Sequence, residues 1–144
     1  MTISSIRITK KEKYMYFEAT IKQEVEGKNN KFKLLIENAS TFSEAEYKSL
    51  DYVGGKGDVV ALKLMKRLME IINTKRNEEE ALYYANIESI FVDDNGKEKA
   101  TKYVVGVYAK DIETATDRAS EYMKEGLSDM QFMGIKLAKV ENVI

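Results

Sequence analysis

The chain has 144 residues, of which 33% are charged and 44% hydrophobic, with a formal net charge of −1. A single domain of that size buries roughly two-thirds of its unfolded surface, and near-neutrality gives no global field to draw it onto nucleic acid or an acidic membrane. Histidine and cysteine are both absent, which excludes Cys/His zinc sites, disulfides, cysteine nucleophiles and His-based triads and leaves acid–base work to carboxylates, Tyr or Lys. An enzyme is therefore not expected, and neither is a cofactor or a metal.

At the N-terminal end, Arg7, Lys10, Lys11 and Lys13 oppose only Glu12, a local excess of positive charge. No apolar run approaches the ~20 residues of a transmembrane helix and no charged-then-apolar leader opens the chain, so a cytoplasmic location is expected. Met15, Phe17, Ala19 and Ile21 then alternate with polar and aromatic residues, the period of a strand with one apolar face. Turn residues follow in EGKNN (26–30), and KFKLLIENA reads as the returning strand. Thr41-Phe-Ser-Glu44 fits a capping box, opening a helix whose Phe42, Ala45, Ser49 and Val53 share the face that packs on the sheet. VGGKGD (53–58) reads as a helix C-cap and turn; it lacks the Ser or Thr that follows Lys in a phosphate-binding loop. Residues 58–66 are expected to form a strand, with a helical turn or an extension to about 72, and polar NTKRNEEE (73–80) forms a linker.

Beyond the linker the same order recurs. LYYANI (82–87) matches YFEATI (16–21), DIETATDRASEYM (111–123) matches TFSEAEYKSLDYV (41–53) at an offset of 70, and SDMQFMGIKLAKVENV (128–143) matches GDVVALKLMKRLMEII (57–72). Between them, Asn95–Gly96 signals a hairpin in preference to a calcium loop, TKYVVGVYA is the returning strand, and Asp111 is the helix N-cap. The sequence thus predicts an α+β fold of two tandem β-β-α-β repeats, about 14–72 and 82–144, within one domain. They are expected to form a mainly antiparallel sheet with two helices on one face. Phe17, Ile21, Phe42, Ala45, Ile87, Ile112 and Ala115 are the expected core. Asp58 and Asp129 take the same place in the two copies, as repeated turn residues do.

Residues 14–144 resemble a duplicated family of uncharacterised proteins from Bacteroidota and their phages and mobile elements. YFEATI, TFSEAE and GDVVALKLMKRLMEII carry the resemblance in the first copy, with DDNGKEK, YAKDIETA and MGIKLAKVENVI in the second. It implies a source and a topology and transfers no catalytic or ligand residue. The location would then be the host-cell cytoplasm if the protein is phage-encoded.

The strand from Tyr103 to Ala109 is apolar on both faces and needs cover on both, either as a central strand under the long final segments or from a homo-oligomer, and the oligomer is the favoured expectation. The functional expectation is a non-enzymatic oligomeric binding protein that sequesters a small anionic, nucleotide-like ligand such as a host defence signal. Arg7, Lys10 and Lys11 would supply phosphate contacts, and Tyr14, Tyr16 and Tyr84 stacking. The alternatives are a nucleic-acid-binding accessory protein, against which near-zero charge counts, and a structural or protein-interaction module.

Overall fold

The computed structural model describes residues 15–73, 75, 77–125 and 129–144. In chain order these carry β1 (Met15–Val25), β2 (Lys28–Ala39), α1 (Phe42–Tyr52), β3 (Asp58–Leu64), β4 (Leu68–Ile72), β5 (Ala81–Val92), β6 (Glu98–Ala109), α2 (Ile112–Glu125), β7 (Asp129–Leu137) and β8 (Asn142–Val143). They form two compact units, the first made of Met1–Lys66 with Val140–Ile144 and the second of Arg67–Lys139.

In the first unit, Glu26 and Gly27 both take positive φ, at 53° and 79°, and close a two-residue hairpin that brings Val25 opposite Lys28. Two positive φ values in such a loop match the right-handed twist of the strands on either side. The Thr41 hydroxyl accepts from the Glu44 amide at 3.1 Å, and the Glu44 carboxylate accepts from the Ser40 amide and hydroxyl, so the capping residues satisfy the helix entry. At the exit, Gly54 donates to the Asp51 carbonyl and Gly55 to the Leu50 carbonyl, both at 3.1 Å. These paired bonds around left-handed glycines stop the helix, as expected for VGGKGD. In the second unit, the Asp93 carboxylate accepts from the Asn95 and Lys97 amides at 2.9 Å and thereby fixes the hairpin turn. Asp111 caps α2 by accepting from the Thr114 amide at 2.8 Å.

The strand order is β3-β1-β2-β8 in the first unit and, reading from the corresponding edge, β7-β5-β6-β4 in the second. Each sheet has two antiparallel pairings and one parallel pairing, the parallel ones being β2 with β8 and β4 with β6. The parallel strand in each unit comes from the other half of the sequence. Residues 68–72, which follow β3 in the chain, pair in the second unit's sheet; residues 142–143, which follow β7, pair in the first unit's. The units accordingly divide at Lys66 and Lys139, whereas the repeats expected from the sequence are joined at 73–80. The expectation of one sheet is thereby corrected to two four-stranded sheets, each with its own helix. Residues 64–72 hold a turn and a short strand, with no helix.

Each core is a sheet face closed by small helix residues. Phe17, Ala19, Ile21, Leu34, Ile36 and Ala39 pack with Ala45 in the first unit, and Ala85, Ile87, Val105, Val107 and Ala109 pack with Ala115 and Ala119 in the second. Buried side chains such as Phe17 and Ile21 each contribute about 1.5–3 kcal/mol relative to exposure. The helix phase follows the sequence, but Phe42 and Ile112 are each 52% exposed and do not belong to the core. They are the first residues of their helices, so they share the buried face in angle yet sit at its end. Phe42 still meets Phe17 edge-on, with ring centroids 5.0 Å apart.

Register also corrects one correspondence. Lys22 faces Asp58 and Ile21 faces Val59, whereas Glu88 faces Gln131 and Ile87 faces Phe132. Asp58 therefore corresponds to Gln131; Asp129 lies two residues earlier, because β7 is longer at its start. Both edge strands carry a bulge at the same place, and the extra residues, Val60 and Met133, are exposed.

Candidate functional site

The residues singled out in sequence are not brought into one site by the described structure. Arg7, Lys10, Lys11 and Tyr14 lie outside the described residues. Tyr16, on β1, alternates with the core residue Phe17 and so takes the sheet face away from α1, half-buried. Tyr84, on β5, alternates with Tyr83 and Ala85 and takes the corresponding face of the second unit, where it is buried opposite Gly106. Gly106 is a site of close approach: a Cβ there would stand 2.9 Å from Ile71 Cγ1 and 3.2 Å from Leu82 Cδ1. The strand that reads as doubly apolar, β6, is interior to its sheet.

A largely buried ion pair lies in the second unit, and sequence reasoning missed it. Arg118 Nη1 donates to Glu80 Oε2 at 3.3 Å and to the Tyr108 carbonyl. Glu80 has only 6% of its side chain exposed, so the ion pair is largely out of water. On the same helix the Tyr122 hydroxyl donates to Glu70 Oε1 at 2.5 Å. Burial foremost, and then the Glu70 carboxylate beside it, pushes the Tyr122 phenol up to about 12. The only sequence signal was position, since both residues flank the Ala115–Ala119 stripe at helical spacing.

These groups act as braces. Arg118 ties α2 to the end of β6 and to the segment before β5, and Tyr122 ties α2 to β4. The first unit has the exposed version, in which Lys48 Nζ donates to the Asn38 carbonyl at 3.1 Å and meets Glu44 at 3.8 Å. Two carboxyl groups are held below the ordinary carboxylate range, and both are helix caps: Glu44 by its bonds from Ser40, and Asp111 by its bond from the Thr114 amide. Among the described residues no cluster of three or more Asp or Glu is arranged to hold a metal ion, and no helix is long and apolar enough to cross a membrane.

Two units with matching strand orders, each with its helix on one face and its fourth strand from the other half, span residues 15–144. A family model described as "Domain of unknown function (DUF4494)" matches those same residues. The chain belongs to this family. No curated protein and no solved structure matches it. Membership in DUF4494 thus covers both units and every described residue, and brings no assigned ligand or reaction with it.

Proposed function

We propose that the chain is a tandem duplication of a β-β-α-β unit and works as a non-enzymatic binding protein of phage or mobile-element type. In this reading it is a homo-oligomer that sequesters a small anionic, nucleotide-like ligand, such as a host defence signal, in the cytoplasm. The observation that carries the reading is the structural employment of Glu44, Asp111 and Tyr122, three described groups whose pKa is shifted. Catalytic sites hold acids and bases whose shifted pKa serves the reaction, whereas Glu44 and Asp111 owe their shifts to capping, and Tyr122 owes its shift to burial first and to its bond with Glu70 second. Without histidine or cysteine, binding is the simpler use of such a scaffold. The basic cluster Arg7, Lys10 and Lys11 supports an anionic ligand, because a few ammonium and guanidinium groups grip phosphate without a basic overall charge.

Native mass spectrometry of freshly purified protein tests this directly. The expected result is a whole multiple of the chain mass with a small phosphate-bearing molecule retained. Reversing Lys10 and Lys11 to Glu should release that molecule and leave thermal unfolding nearly unchanged. Turnover of a nucleotide, or a strict monomer with no ligand, would defeat the reading. A protein-interaction module is the second reading, favoured by the exposed apolar bulge residues Val60 and Met133 on the two edge strands. Loss of oligomeric mass on Val60→Asp and Met133→Asp, with no ligand found in the parent, would favour that module.

A further inference from the structure

We propose that the face of the first unit's sheet away from α1, around Lys22, Lys31 and Lys33, binds the phosphate groups of a small polyanion. This rests on the reading that the ligand is a small anion, and it adds a second anion site, separate from the contacts expected of the N-terminal basic cluster. Phe17, Ala19 and Ile21 face the core, so Glu18, Thr20 and Lys22 take the opposite face of β1. Register sets Lys33 opposite Thr20 and Lys31 opposite Lys22 on β2, and Lys63 opposite Glu18 on β3. Four lysines, all exposed, therefore share this face. Glu18 offsets one of them, meeting Lys33 at 3.3 Å, and Asp58 faces Lys22 from the sheet edge.

The opposed Lys22 and Lys31 are the informative pair. Like charges directly opposite in an antiparallel ladder destabilise it. The second unit shows that the fold does not require them: there the corresponding residues are Glu88 and Lys102, a complementary pair. Asp58 balances Lys22 from the β3 side only, and a like-charged pair on the β2 side, kept in one unit and replaced in the other, is what an anion between the lysines would explain. Opposite residues stand about 5 Å apart and alternate residues on a strand about 7 Å apart. The ammonium groups of Lys22, Lys31 and Lys33 thus reach a volume of the size of a di- or triphosphate, for which lysine serves as a point-charge binder.

Titration of inorganic triphosphate into the full-length chain, followed by calorimetry, tests the site. Binding is expected, and Lys31→Glu or Lys22→Glu should weaken it about tenfold or more. Lys31→Glu should unfold at an unchanged or higher temperature, because it sets a carboxylate opposite Lys22; Lys22→Glu becomes complementary to Lys31 but like-charged with Asp58, and should unfold close to the parental temperature. Lys102→Glu in the second unit should leave affinity within about twofold. Binding within about twofold of the parent for both Lys31→Glu and Lys22→Glu would overturn the site. If Lys10→Glu with Lys11→Glu abolishes binding while Lys31→Glu does not, the small-anion reading stands and this site falls. If triphosphate does not bind at all and a single-stranded oligonucleotide does, with steep salt dependence, both fall.

Discussion

Lys48 and Arg118 hold corresponding places on the two helices, and each donates to a carbonyl ten residues upstream, Asn38 in one unit and Tyr108 in the other. Their surroundings differ. Lys48 lies near the surface with an exposed glutamate, whereas Arg118 also meets Glu80, a carboxylate almost wholly out of water. One geometric device is thus a solvated tether in the first unit and a buried ion pair in the second. Lysine suits the first use, as a hydrated point charge; the planar guanidinium suits the second, because it satisfies a carboxylate and a carbonyl at once.

The same contrast between units orders the expected effects of substitution. Phe17→Ala should be the most damaging, at about 3–5 kcal/mol, because it empties a fully buried site. Tyr83→Ala, at the corresponding and only half-buried position, should cost less. Denaturant titration of both variants checks the difference, and equal losses would mean that the two cores are more alike than their burial suggests. Arg118→Ala should cost about 3 kcal/mol by removing the guanidinium that meets the buried Glu80 carboxylate, against under about 1 kcal/mol for Lys48→Ala. Gly106→Ala should cost about 1–3 kcal/mol, since the added methyl collides with Ile71. A variant of parental stability would show that β4 can shift to admit it.

The smallest effect is pH-dependent. The Tyr122 phenol holds its proton more tightly when folded, so its contribution is complete below the ordinary value of 10.0 and is lost as pH rises towards about 12. Tyr122→Phe should cost about 1 kcal/mol near neutrality. That deficit should close across the same alkaline window, which thermal melts at several pH values would follow. A constant deficit would place the effect in packing rather than in the bond to Glu70.

Local chemistry was legible in the sequence. The caps at Thr41 and Asp111, the glycine stop after Tyr52 and the Asn95–Gly96 turn were each marked by residue types with one conformational use. The strand at 58–64 could be read because its counterpart carries Gly134 and Ile135, which disfavour the helix that 57–72 alone suggests. Depth was less legible than angle: helical periodicity placed Phe42 and Ile112 on the inward face but not at the end of it. Long-range pairing was not legible at all. Nothing within Leu68–Ile72 or Asn142–Val143 states which sheet receives it, and the offset of the final strands was misjudged because a longer β7 begins with the same Asp. For the candidate site, the alternation of lysines in KFK was visible, but the opposition of Lys31 to Lys22 depends on a hairpin register that only the turn at Glu26 and Gly27 fixes.

The strand exchange also has a consequence for the order in which the protein acquires its structure during synthesis. Leu34 finds its partner Asn142 more than a hundred positions later in the chain, while Leu68 meets Val104 much sooner. The second unit's sheet can therefore close while the first unit's is still one strand short, leaving the outer side of β2 an open template in the nascent chain. Unpaired edges of this kind invite pairing with other chains. Lys28, Lys31 and Lys33 lie along that stretch of β2 or immediately beside its pairing with β8, where their charge discourages such pairing until the last strand arrives.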